Sequence, residues 1–214
     1  MSEPNWSEDA PTQFWTSGMP IPRIAEQQAV TAEELGWDGI VFPDSQNLAA
    51  DCYSILTLAA TATDRLGLGV GVTNTFTRHP AVTASAIATV QAISRGRAVL
   101  GIGRGDSALA QIGLAPVGLS SFERDVAAIQ TYLRGEPVSF DRSAARADGV
   151  HGVDQLEVAT RPQESRIEWI RPTDGKVPVE IAASGPRVLG IAARHADIVS
   201  LNVGADPARV AWAV

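Results

Sequence analysis

Ala183-Ser184-Gly185-Pro186-Arg187 is the stretch of this chain best suited to hold an anion. A proline at the first helical position is preset for that geometry. Ser184 and Gly185 ahead of it leave main-chain N–H groups and the positive helix end facing a phosphate, and Arg187 adds charge. The alternative is a plain helix cap. Gly101-Ile102-Gly103-Arg104-Gly105-Asp106 suggests a dinucleotide loop, but its spacing is G-x-G-x-G and not G-x-G-x-x-G. It also falls on the fourth strand of the chain, where that fingerprint belongs on the first strand of its unit. Arg104 and Asp106 either pair with each other or touch a ligand. In Arg78-His79-Pro80, His79 is either a hydrogen-bond donor to a ligand or a surface histidine leading a helix.

Glycines alternate twice, in Gly67-Leu68-Gly69-Val70-Gly71-Val72-Thr73-Asn74 and again in 101–106. Successive strand side chains point to opposite faces, so each segment has one face without side chains. Glycine weakens a strand, and its repetition implies close approach by a flat ligand, by another main chain or by a tightly packed helix. Because both segments end in polar residues, the ligand is the preferred reading.

Other chemistries find little support. His151 and His195 have no neighbours at metal-ligand spacing, so no metal site is assigned. Ser184 lacks the G-x-S-x-G frame of a serine hydrolase. Schiff-base lyase chemistry wants a lysine on a strand end, and the only lysine, Lys176, lies in irregular sequence. Cys52, the single cysteine, reads as buried filler.

The elements that must position these residues alternate regularly. Residues 1–13 read as a loose leader and Phe14-Trp15-Thr16 as a short strand. A helix from Ile24 to Leu35 stops at Gly36, and strand Asp38–Phe42 follows. Asp51 caps a second helix, Leu66–Val72 is a strand, Pro80 to about Ser94 a helix and Ala98–Ile102 a strand. Phe122, Val126, Ile129 and Leu133 mark an amphipathic helix ending at Gly135. Residues 136–176 interrupt the rhythm, with β-like pieces at 137–140 and 166–170, and read as a functional excursion such as a lid or as a linker. The alternation then resumes with strand Val179–Ala183, helix Pro186–His195, strand Ile198–Val203 and a helix start at Asp206-Pro207.

Strands separated by single helices predict a parallel α/β sheet with right-handed crossovers. Six βα units fit either an open sheet or the amino-terminal part of a TIM-type (β/α)8 barrel, which needs eight units and is commonly ~250 residues. Asp44-Ser45, Thr73-Asn74, Arg104-Gly105-Asp106, Ser184-Gly185 and Asn202 end these strands, and in a barrel they share one rim. The 214 residues, 45% apolar and 19% charged, suffice for one substantial core. A net charge of −7 argues against a nucleic-acid partner. Met1-Ser2-Glu3-Pro4-Asn5 lacks the order of a secretory signal and no run approaches ~18 apolar residues, so no membrane partner and a cytoplasmic address are expected.

Read together, Gly71-Val72-Thr73-Asn74-Thr75-Phe76-Thr77-Arg78-His79-Pro80-Ala81-Val82-Thr83-Ala84 and Gly96-Arg97-Ala98-Val99-Leu100-Gly101-Ile102-Gly103-Arg104-Gly105-Asp106 resemble the luciferase-like monooxygenase superfamily. The blocks 32–40 and 177–186 match it too, and the resemblance is nearest the deazaflavin branch typified by the methylenetetrahydromethanopterin reductases. It implies a TIM-type barrel that binds coenzyme F420 or reduced FMN at the carboxyl rim and acts as an oxidoreductase on a small organic substrate. It further implies a third-strand bulge with a non-proline cis peptide around Gly71-Val72-Thr73 that backs the ring. Asp44 is then the catalytic candidate beside the ring, Asn74 contacts it, and Gly103-Arg104-Gly105-Asp106 with Ala183-Ser184-Gly185 hold the phosphate side.

Two departures qualify the match. Many deazaflavin relatives carry histidine where this chain has Ser45, and the family continues through strands seven and eight. The rival expectation is therefore a catalytically silent remnant that needs a complementing chain, and a homodimer is a further possibility.

Overall fold

The computed structural model describes residues 11–140 and 162–214. Six parallel strands, β1 (Trp15–Ser17), β2 (Gly39–Phe42), β3 (Gly67–Asn74), β4 (Ala98–Gly103), β7 (Val179–Ala183) and β8 (Ile198–Leu201), lie side by side in that order. The connecting helices are α1 (Ala25–Glu34), α2 (Cys52–Ala62), α3 (Pro80–Ser94), α4 (Asp106–Ala110), α5 (Leu119–Leu133) and α6 (Pro186–His195), with α7 (Pro207–Ala213) after the last strand. The sheet curls into a half-barrel. Among the described residues β1 and β8 each have one neighbour and so each leaves an open edge.

One face of the sheet carries Ile40, Phe42, Leu68, Val70, Leu100, Ile102, Val179 and Ile181, all fully or nearly buried. These side chains form a single cluster with Ala29, Leu56, Ile87, Phe122 and Ile129 of the surrounding helices. Each large member is stabilised by roughly 1.5–3 kcal/mol through removal from water. The inner face, bearing Trp15, Val41, Val72, Val99 and Ala182, remains half-buried.

The amino ends of the strands are tied by two charged groups. Glu33, on α1, accepts the N–H groups of Asp64, Arg65 and Leu66 in the turn before β3 at 2.7–3.1 Å through Oε1. Arg97, before β4, donates to the carbonyls of Ala60, Thr63 and Leu66 at 2.6–3.0 Å, closing off the end of α2.

The described flanks of the 136–176 excursion lie at this same amino end. Strand β5 (Val138–Ser139) pairs antiparallel with β6 (Glu164–Ser165). The Tyr132 hydroxyl, near the end of α5, meets Ser165 Oγ at 3.0 Å. Gln91, near the end of α3, donates to the Asp174 carbonyl at 3.2 Å and accepts the N–H of Ala98 at the start of β4. Trp169 borders a cavity of about 10 Å³, too small for an organic ligand. These flanks therefore pack at the end opposite the carboxyl rim, where a lid would be needed. Residues 141–161, His151 among them, lie outside the described set.

The structure differs from the sequence reading at several boundaries. Strand β3 runs two residues beyond Val72, α4 is an added short helix, and 166–170 forms no strand.

Candidate functional site

The carboxyl end of β3 is irregular. Val70 pairs with Leu100, but Thr73 pairs with Ile102, so Gly71 and Val72 together oppose Gly101. This β-bulge contains a cis peptide between Gly71 and Val72, at the place the resemblance implied. Crowding explains the facing glycine: a Cβ on Gly101 would lie 2.1 Å from the Val70 carbonyl oxygen.

The glycine-rich face of β3 proves to be filled by protein. A Cβ on Gly67 would meet the Trp15 indole at 2.6 Å, one on Gly69 would meet Val41 at 2.9 Å, and one on Gly71 would meet Val41 at 2.7 Å. Gly39 on β2 lies under the same indole, at 2.3 Å from a Cβ. The flat group that the glycine alternation admits is thus Trp15 at Gly67, shared with Val41 at Gly69, while Val41 alone covers Gly71, and the expectation of a ligand along the whole segment is corrected. What remains is the carboxyl end of the strands, where a Cβ on Gly103 would lie 3.3 Å from Val72 Cγ2 and 3.9 Å from Ala182 Cβ, a low strip on the inner face.

Asp44 and Thr73 meet at the top of β2 and β3. Thr73 Oγ1 donates to Asp44 Oδ2 at 2.6 Å, Gln46 donates to Oδ1 at 3.1 Å, and Arg78 closes a salt bridge to Oδ2. Asp44 is 3% exposed, so its charge is held by partners and not by water. The second arm of Arg78 reaches Asp51 at 2.6 Å, and its guanidinium stands 4.9 Å from the centre of the Tyr53 ring. Burial works against the guanidinium's charge, yet Asp44 and Asp51 raise its pKa further above its usual range. Burial also opposes ionisation of Asp51, but the Ser54 N–H and Arg78 bring its pKa below the ordinary value. Burial and the neighbouring Asp44 push the Cys52 thiol well up, and burial does the same to the Tyr53 phenol.

Asn74 is fully buried, and its Oδ1 accepts the N–H groups of Phe76 and Thr77 at 3.0 and 2.9 Å. That bonding fixes the amide and leaves Nδ2 without a partner. Gln46 Oε1, Thr75 Oγ1 and Thr77 Oγ1 are also buried and unpartnered, so orphaned polar atoms gather at the ends of β2 and β3. Gly105 crosses over Asn74 at φ +82°, where its missing Cβ would approach Asn74 Cβ at 2.8 Å.

The remaining candidates divide. Arg104 Nε donates to the Val117 carbonyl at 2.6 Å, stapling the loop after β4, and does not pair with Asp106. Asp106 opens α4. Ser184 is exposed, Ala183 buried, and Gly185 is the N-cap of α6, with no side-chain cap bond and open space where a Cβ would stand. His79 caps α3, its Nδ1 accepting the Ala81 N–H at 3.2 Å. Asp44, Thr73, Asn74, Gly103 and Arg104 therefore come together on the adjoining ends of β2, β3 and β4, and Ser184-Gly185 end the next strand. Sequence reasoning missed the linkage of Arg78 to Asp44 and Asp51. The available signal was a lone arginine two residues before a helix-opening proline. Among the described residues no cluster of His, Cys, Asp or Glu is arranged for a metal, and no helix is long and apolar enough to cross a membrane.

A curled parallel βα sheet with its polar constellation at the carboxyl rim defines half of a TIM-type barrel. The family model for luciferase-like monooxygenases matches residues 8–214, and the chain belongs to that family. It is 34% identical over 185 residues to the 5,10-methylenetetrahydromethanopterin reductase of Methanolobus tindarius, covering 86% of this chain and 51% of that protein. It is 30% identical over 193 residues to the F420-dependent glucose-6-phosphate dehydrogenase of Beutenbergia cavernae, covering 82% and 51%. The solved coenzyme F420 dependent tetrahydromethanopterin reductase from Methanopyrus kandleri superposes with a TM-score of 0.72 at 27% identity, covering 90% of this chain and 56% of that one. The chain spans about half the length of the curated relatives it matches.

Proposed function

We propose that this chain forms the cofactor-holding part of a luciferase-like oxidoreductase that uses coenzyme F420, with FMN as the second candidate, on a small organic substrate. The observation that carries the proposal is the bulged end of β3: Val72, Gly103 and Ala182 offer a low inner strip beside a buried amide donor, Asn74 Nδ2. A flat ring with a polar edge suits that combination. When bound, a deazaflavin supplies hydride transfer and a reduced flavin supplies oxygen activation. F420 is placed first because the relatives above 25% identity whose names include a cofactor name F420.

In this reading Gly71 and Val72 back the ring, and Thr73 and Asn74 set its polar edge. Asp44 acts as a fixed anionic anchor behind Thr73, since Thr73, Gln46 and Arg78 already use both of its oxygens. Ser184 and Gly185, after Ala183, take the phosphate end, because α6 starts there without a side-chain cap. Gly103, Arg104, Gly105 and Asp106 form the adjoining wall. The Asp106 carboxylate, in the first turn of α4, disfavours an anion on that side.

The substrate is a small molecule, and residues 14–214 act as one barrel domain in the cytoplasm. A complementing chain or segment covers the free edges. A groove of about 330 Å³ lined by Ile24, Leu35, Trp37 and Ile40 runs beside β1 and supports that part of the reading.

Titration of the purified protein with oxidised F420 and with FMN, followed by absorbance and by thermal melting, tests the proposal. Saturable binding of one cofactor with a rise in melting temperature is expected. Binding of neither, with the protein folded, overturns it. A silent remnant would give that second result.

A further inference from the structure

Arg78 connects three segments that otherwise meet only at the barrel rim. It sits in the β3–α3 loop, pairs with Asp44 after β2 and with Asp51 at the start of α2, and lies against Tyr53 of α2. Its side chain is 18% exposed, so its two charge contacts are shielded from solvent on most sides. Of the carboxylates it holds, Asp44 is the one that receives the Thr73 hydroxyl, and Thr73 directly follows the bulge. Asp51 keeps its other oxygen for the N–H and hydroxyl of Ser54.

We propose that Arg78 is a positioning residue for the cofactor seat: by clamping Asp44 between the ends of β2 and α2 it fixes Thr73, and through Thr73 the placement of Val72 on the inner face. The inference rests on the cofactor reading above, but the clamp itself is a property of the free protein. Three links transmit it, Arg78 to Asp44, Asp44 to Thr73, and Thr73 to the adjoining bulge. A guanidinium suits the task because two carboxylates must be held at once in fixed directions, which an ammonium does not do. Removal of Arg78 leaves Asp44 buried with neutral partners only, and the loop must open to hydrate it.

The test uses two readouts on the full chain. Cys52, fully buried beside Asp44 and the only cysteine, reports opening of the clamp through its reaction rate with a disulfide reagent. R78Q is expected to raise that rate under native conditions at least tenfold beyond any rise in its rate of global unfolding, and to weaken binding of the cofactor that wild type takes at least tenfold at a temperature where the variant is folded. R78K is expected to fall between, since one arm is lost. E123Q, which breaks an ion pair between α5 and α6, serves as the control and changes neither readout.

Wild-type affinity in folded R78Q overturns the proposal, because a residue that only stabilises the fold would lower the melting temperature and leave affinity intact. An unchanged Cys52 rate overturns it too. If wild type binds neither cofactor, the functional reading fails and the Cys52 rate alone decides the clamp. If R78Q does not fold, R78K, which keeps the charge but holds only one carboxylate, is measured in its place, and wild-type affinity together with a wild-type Cys52 rate in R78K overturns the proposal.

Discussion

Thr73 and Asp44, 29 positions apart in sequence, share a 2.6 Å hydrogen bond in which the threonine hydroxyl donates and both residues are almost wholly buried. That bond joins the ends of the second and third strands at the point where the third strand has just bulged. A hydrogen bond to a buried charged group contributes about 1.5–3 kcal/mol.

Replacing Thr73 with valine keeps the shape and removes the donor. The expected result is a loss of about 1.5–3 kcal/mol, read as a lower denaturant midpoint with unchanged slope. A T73V midpoint equal to wild type would show that Gln46 and Arg78 satisfy the carboxylate without it.

Gly101 and Gly185 make opposite predictions for the same change. An alanine methyl at 101 meets the Val70 carbonyl oxygen at 2.1 Å, so G101A must break the β3–β4 register and is expected to cost about 3 kcal/mol or more. At 185 no atom stands within 4 Å and the backbone is extended, so G185A is expected to stay within about 0.5 kcal/mol of wild type. Urea unfolding of the pair measures both; equal midpoints would contradict the close approach of the two strands.

Glu33 gives the stability of the fold a defined pH dependence. Burial is the largest single influence and raises its pKa, but the N–H groups of Arg65, Leu66 and Asp64 and the nearby Arg65 charge together outweigh it, and the carboxyl falls below its ordinary range. A folded-state value below the unfolded one adds stability above the unfolded value, and that stability disappears as pH falls through the folded value. E33Q is therefore expected to melt below wild type at neutral pH, with the gap closing from about pH 5 downward. A gap that is constant between pH 7 and pH 3 would rule out the carboxylate as its source.

Cys52 should be chemically silent in the native protein. Burial and Asp44 hold its thiol in the protonated form well into the alkaline range, and it has no solvent exposure. Labelling is expected only at the rate of unfolding, and the same reagent should react stoichiometrically in denaturant. Rapid labelling of the folded wild type would mean that the β2–α2 loop opens on its own.

Much of the scaffold was legible in the residues. Helices α3 and α6 and strand β7 have the bounds that Pro80, Pro186 and the apolar run 179–183 predicted. Asp51 caps α2 through the Ser54 N–H, as its position implied. The 166–170 piece alternates like a strand, yet the pairing falls on Glu164-Ser165, because β5 supplies only a two-residue partner there. Helix α4 is too short for periodicity to reveal.

The rim was only half legible. Side-chain-free faces on β3 and β4 follow from the glycine spacing, but spacing alone does not say what fills them, and the Trp15 indole that covers Gly67 comes from the first strand, two strands away in sequence. The Asp44–Arg78–Asp51 clamp depends on where three loops converge, which no local pattern encodes. Asn74 could be named as polar. That its amide nitrogen would be left without a partner depends on the turn its oxygen makes with Phe76 and Thr77.

The β5–β6 pair stands at the amino end of the half-barrel, with the length of the strands between it and the proposed chemistry. A tag, a dye or a tether grafted beside Ser139 would accordingly ride on the protein as a passenger. It offers a handle by which the molecule can be fixed to a surface with its working end turned toward the solution.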